Sequence, residues 1–213
     1  DIQELGHWPV TDEMLARALN ILTRHQPRVI GVDIYRDMEV PPGRAELDRI
    51  LSGHPEIMMV MKFAKGGNGA ISGPAILRGT DRVGFSDVVV DADGIVRRGL
   101  LFLDDGTNYF RSFSLLLALQ YLQQEGIVPQ PAVENPDWIQ LGHTVLRPFE
   151  SYDGSYIGAD AQGYQFLLDL ERGENLFPTI EFGAVLAGNV KPEWIQDRIV
   201  LIGVVAQSVK DYF

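Results

Sequence analysis

The chain has 213 residues, enough to bury roughly 70% of its unfolded surface without disulfides or a structural metal. Its 46% hydrophobic and 22% charged residues exclude an intrinsically disordered chain. Eighteen basic residues against 29 acidic ones leave a net charge of −11, which argues against nucleic acid and anionic lipid as partners. The lack of cysteine removes disulfides, thiolate metal sites and thiol catalysis together.

Glycine and proline divide the chain into short elements. Thr11 is placed to cap a first helix, with Asp12 and Glu13 in its first turn. Met14, Leu15, Ala18, Leu19 and Leu22 form its apolar stripe, and Pro27 ends it. RVIGVDI (28–34) reads as a buried strand, 43–52 as a helix and IMMVMKF (57–63) as a second buried strand, a pattern that predicts a parallel pair with a crossover helix. The middle changes character. VGFSDVVV (83–90), DADG (91–94) and IVRRGLLFL (95–103) read as an antiparallel hairpin, and Asp105–Gly106 marks another reversal. An amphipathic helix follows over 111–125, a second hairpin over 138–149, a strand over 164–171, a helix over 179–188 and a closing buried strand over 198–205. The predicted fold is α/β: a central mixed sheet flanked by helices, with antiparallel hairpins inserted in the middle, all in a single domain over 1–213.

No apolar run approaches the roughly 18 residues needed to span a bilayer; SLLLAL (114–119) is the longest candidate. No signal peptide opens the chain, which begins without Met and stops at KDYF, as expected of a segment excised from a longer protein.

Several stretches invite a chemical reading. Asp91 and Asp93 have the D-x-D spacing with which haloacid-dehalogenase-type phosphatases place a nucleophile and an acid–base group around Mg²⁺. Here the pair lies mid-chain and runs straight into another strand, so a hairpin turn explains the same residues more simply. GGNGAISG (66–73) lacks the third glycine of a dinucleotide loop and the Gly-Lys pair of a phosphate loop, and reads as a surface loop. His7, His25, His54 and His143 fit no metal spacing, no G-x-S-x-G elbow is present, and no cofactor is expected.

Asp33 ends the apolar run VIGVD near the carboxyl end of a buried strand, where open α/β sheets place their ligand sites, and Gly203 ends the comparable run IVLIG. Arg97 and Arg98 are neighbours on a strand, so one of them faces inward and needs an acid, for which Asp33 and Asp211 are the candidates. Asp33, Arg97 and Asp211 are the candidate ligand-binding residues; the alternative is a buried ion pair that holds the sheet together. The charge is uneven: residues 99–181 hold 12 acids and 3 basic residues, −9 of the −11.

GHWPVTDEML (6–15), PRVIGVDIYRD (27–37), VGFSDVVVDADGIVRRGLL (83–101), YFRSFSLLLAL (109–119) and DRIVLIGVVAQSVKDYF (197–213), in this order, resemble the CHASE type-two sensor domain, a cyclase- and histidine-kinase-associated sensory extracellular domain. GADAQGYQFLLDL (158–170) is similar to the cyanobacterial members. The resemblance implies the extracytoplasmic sensing part of a bacterial membrane receptor, carrying an adenylate or diguanylate cyclase, a histidine kinase or a Ser/Thr kinase inside the cell. It further implies anchorage through flanking membrane helices. The reading that follows is a non-enzymatic sensor that binds a small-molecule or protein ligand within a homodimer. It transfers no catalytic or binding residue. Two rivals remain at this stage, the Mg²⁺-dependent phosphatase of Asp91 and Asp93 and a ligand-free dimerisation module.

Overall fold

The computed structural model describes residues 9–64, 69–170 and 177–205. Thr11 caps α1 (Asp12–Thr23), its hydroxyl accepting from the Met14 amide at 3.3 Å. Leu15, Ala18, Leu19 and Leu22 are buried along one face, as the helical spacing requires. The chain then turns through Gln26 at φ 54° and Pro27, which cannot extend a helix. β1 (Val29–Val32) is buried throughout. Residues 33–43 follow, with a cis bond between Pro41 and Pro42, and lead to α2 (Arg44–Gly53) and β2 (Ile57–Met61). Ile30 stands opposite Ile57 in a parallel pair, so the expected strand–helix–strand unit is present.

The stretch 83–90, predicted as one strand, is divided between two sheets. A 3₁₀ turn (Ala75–Leu77) leads to β3 (Val83–Phe85), which pairs parallel to β2; β4 (Val89–Val90) pairs antiparallel to β5 (Val96–Asp104). The turn between β4 and β5 is the predicted one: Asp91 donates to Ile95, Gly94 donates to Asp91, and Gly94 has φ 80°. Asp105–Gly106 makes the next reversal, into β6 (Tyr109–Arg111). Ser112 caps α3 (Phe113–Gln123) by accepting from the Leu115 amide at 3.2 Å.

β7 (Pro129–Pro131), β8 (Ile139–Leu141) and β9 (Thr144–Leu146) form a small antiparallel sheet. The hairpin β8–β9 was predicted; β7 was not, because two prolines flanking Gln130 disguise it as a loop. β10 (Tyr164–Leu167) pairs with β5. The helix expected over 179–188 is only α4 (Phe182–Leu186), followed by a short α5 (Pro192–Ile195). β11 (Ile199–Ile202) closes the order β11-β1-β2-β3, in which every pair is parallel. Parallel and antiparallel pairing thus coexist, as expected of a mixed α/β fold, but in separate sheets, and a bridge between Phe85 and Ser112 joins β3 of the parallel sheet to the residue after β6.

The parallel sheet is covered on both faces. Ile30 and Val32 point into the main core with α1, α2, Val185 of α4 and Ile195 of α5. Val29 and Met58 point the other way, onto Leu116 and Leu117 of α3. Two glycines let α3 sit this close. A Cβ on Gly31 would stand 2.7 Å from the Phe113 ring, and one on Gly84 would stand 2.7 Å from the Phe113 backbone. At the amino end of β1, Arg28 clamps the far end of α3. It pairs with Asp197, donates to Glu125 at 2.7 Å and lies 4.2 Å over the Tyr121 ring. Among the described residues, no helix is long and apolar enough to cross a membrane.

Candidate functional site

Parallel strands bring their carboxyl ends to one edge, and two candidates from the sequence meet there. The Asp33 amide donates to the Ile202 carbonyl at 2.7 Å, and a Cβ on Gly203 would lie 3.7 Å from that of Asp33. Asp33 is exposed. Residues 33–43 fold back over the same end and hold the start of α1: the Asp12 amide donates to Val40 and the Glu13 amide to Pro42, both at 2.8 Å. Arg36, which the sequence reading passed over, is buried in this contact. Its guanidinium donates to the Val10 carbonyl and, at 3.1 Å, to that of Tyr35, and its Nε lies 3.3 Å from Oδ1 of the fully buried Asp12. Burial draws the Arg36 pKa down, against the pull of Asp12. Residue 10 and residue 203 therefore lie at the same end of the sheet.

A second cluster is built on the β4–β5 hairpin. Arg98 is the inward arginine, and its acid is Asp91, in place of the expected Asp33 or Asp211; Asp211 lies outside the described residues. The register explains the exchange. Val89 stands opposite Arg98, so the aspartate that opens the turn folds back beside the arginines that follow it. Arg98 Nη2 donates to Asp91 Oδ1 at 2.6 Å, and Nη1 donates to Gln165 Oε1 and to the Asp160 carbonyl, both at 2.8 Å. Its guanidinium carbon stands 5.1 Å from the Phe149 ring and 4.9 Å from that of Tyr156. The buried Gln165 donates in turn to Gln162 and Asp160.

Arg97 is half exposed and pairs with Asp91 at 3.0 Å and Asp93 at 2.8 Å. The Tyr156 hydroxyl donates to Asp91 Oδ2 at 2.7 Å. That bond first, then those from Arg98 and Arg97, hold the Asp91 carboxyl down at about 2. The phosphatase reading fails on this geometry, since both oxygens of its would-be nucleophile are occupied by cations and a hydroxyl. The pair also stands on a hairpin turn, away from the carboxyl end of a parallel strand. Tyr156, Asp160 and Gln165 were invisible in the sequence, because nothing local marks residues 62 to 67 positions away as partners of a hairpin.

The third feature is open space along the outer edge of β3. A cavity of about 570 Å³ lies between residues 72–81 and the β5–β6 hairpin, within the roughly 300–1,000 Å³ range of small-molecule sites. Met61, Val83, Phe102 and Phe110 line it, with Arg78, Asp81 and Arg111 among its polar residues. A neighbouring space of about 390 Å³, reaching the carboxyl end of β2 at Phe63 and Ala64, shares Met61 and Phe110 with the first. Phe63 meets Phe110 edge-on at 5.3 Å, and the hairpin is the wall common to both. From the loop GGNGAISG, only 69–73 is described; Ile71 there bridges to Lys62.

The described residues thus combine a parallel α/β sheet, a paired cluster of charges on the β4–β5 hairpin and a cavity along one edge of the sheet. The chain belongs to the CHASE2 domain family, which matches it over residues 1–213. CHASE2 is an extracellular sensory domain of signalling receptors and is not a catalytic one. No curated protein and no solved structure matches the chain.

Proposed function

We propose that this chain is the extracytoplasmic, signal-receiving domain of a bacterial transmembrane receptor whose cytoplasmic output is a cyclase or a kinase. In this reading a small-molecule or protein ligand binds a homodimer anchored through flanking membrane helices. Binding shifts the output only by the difference in affinity for two arrangements of the domain. The observation that carries the reading is the shared position of residues 10 and 203 at the carboxyl end of the parallel strands. In a receptor anchored on both sides, both connections would start from that one end, so a rotation of the domain would act on both at once. Asp33, exposed at that end, belongs to the transmitting surface.

Reporter fusions on either side of this segment in the full-length protein test the topology. Periplasmic activity of the domain flanked by membrane helices supports the receptor, and a cytosolic domain sinks it. Asp33→Ala, in the receptor, should lose the signal response with the fold intact; loss of the fold instead would make Asp33 a structural residue.

A further inference from the structure

We infer that the cavity along β3 is a binding site for an amphipathic organic anion, a compact apolar body carrying one carboxylate, sulfonate or phosphate. The inference deepens the sensory reading by naming the site and the chemistry of its ligand. Its apolar part rests on four side chains, Met61, Val83, Phe102 and Phe110, that are only partly buried and open onto the same space. Apolar surface gathered into one concavity is the signature of something that covers it.

The charge comes from the rim. Arg78 is exposed and makes no ion pair or side-chain hydrogen bond among the described residues. Arg111 meets Asp81 at 3.4 Å, an exposed contact of little strength. The rim thus carries two cations against one anion in a protein of net charge −11. Within residues 99–181 the sequence has only three basic residues, Arg111, Arg147 and Arg172. Arg147 is engaged by Asp153 at 2.8 Å and Glu150 at 3.4 Å, whereas Arg111 is left at the cavity. A guanidinium that is not already committed can bind an anionic head, and its planar donors fit carboxylate, sulfonate and phosphate alike.

The test uses two probes with one aromatic body, titrated against the whole chain by fluorescence. 8-Anilinonaphthalene-1-sulfonate carries a charge, and N-phenyl-1-naphthylamine does not. The sulfonate should bind saturably at one site. The variant with Arg78→Gln and Arg111→Gln should bind it about tenfold more weakly, the loss of a charge-assisted contact, and keep its affinity for the neutral probe. Ser72→Trp, which fills the cavity from its wall, should abolish both; Thr80→Trp, from another wall, replaces it if that variant does not fold. Near-ultraviolet circular dichroism confirms that each variant keeps its packing. No binding by the parent, equal affinity of the tryptophan variant, or unchanged sulfonate affinity in the glutamine variant overturns the site. Each of these leaves the topology result standing, and a cytosolic topology would leave this binding standing, so the two readings fail separately.

Discussion

Arg36→Met removes a buried cation while keeping most of its apolar volume. In the parent chain the Arg36 side chain is 3% exposed and that of Asp12 fully buried, with Arg36 Nε 3.3 Å from Asp12 Oδ1. With methionine in place, the Asp12 carboxylate keeps the Val40 amide at 3.3 Å and Arg44 at 4.0 Å, and the Val10 and Tyr35 carbonyls lose the Arg36 donor. Breaking a buried pair from one side costs roughly 3–5 kcal/mol. Arg44 still attracts Asp12, which puts the expected loss at the low end, about 3 kcal/mol. For a chain of this length, at about 2–4 °C per kcal/mol, the melting temperature should fall by about 6–12 °C. Urea denaturation followed by circular dichroism gives the free energy, and thermal melting checks it. The double variant Asp12→Leu with Arg36→Met leaves no unpaired charge and should recover most of the loss. The reasoning is refuted if Arg36→Met costs less than about 1 kcal/mol, the range of an exposed pair, or if the double variant is as unstable as the two single ones added together.

Gly84→Ala sets a methyl 2.7 Å from the backbone of Phe113 and should cost about 1–3 kcal/mol in urea denaturation. Gly53→Ala, at the end of α2 with open space around it, should be neutral or stabilising by up to about 1 kcal/mol; equal effects at the two sites would show that close approach of α3 is not what Gly84 provides. Asp91 titrates lower in the folded chain, at about 2, than in the unfolded one, at about 4, so its contribution to stability is complete above about pH 4 and is lost as the pH falls through about 2. Asp91→Asn should therefore be less stable than the parent at neutral pH, and its melting temperature should decline less steeply between pH 5 and pH 2. Parallel declines would assign the acid sensitivity to other carboxylates.

The parallel half of the fold was legible because its signals are local. Thr11, Pro27 and two apolar runs on either side of a helix fix the strand–helix–strand unit, and the Asp-Gly pairs fix both reversals. What failed needed knowledge of distant partners. Residues 83–90 look like one strand because nothing in VGFSDVVV announces that Gly84 is drawn under α3 while Val89 and Val90 turn to β5. The alternation along β5 correctly required an inward arginine, but periodicity cannot say which of two neighbours it is. The hairpin did contain the answer, since an aspartate just before a turn and an arginine just after it become cross-strand neighbours. The Asp12–Arg36 pair was hidden for a different reason. An acid in a first helical turn reads as a dipole effect, and only the return of residues 33–43 buries it.

The cavity and the carboxyl end of the sheet are joined by contacts that leave little slack. Met61 ends β2 at that edge and lines both spaces. Phe110, on the wall that the two spaces share, is followed within three residues by Ser112, which bridges to Phe85 and caps α3, and by Phe113, which lies on Gly31 and against Gly84. Gly31 is two residues before Asp33 on β1. At Gly84 the contact is backbone on backbone, so no change of rotamer there absorbs a shift of the β5–β6 hairpin, and close-packed interiors pass such displacements on. Under the proposed function, a ligand that fits the cavity better with the hairpin in one position would act on β1 and its carboxyl end through α3. The coupling must also run backwards: whatever arrangement of that end strengthens anion binding is itself favoured, by the same factor, when the anion is bound.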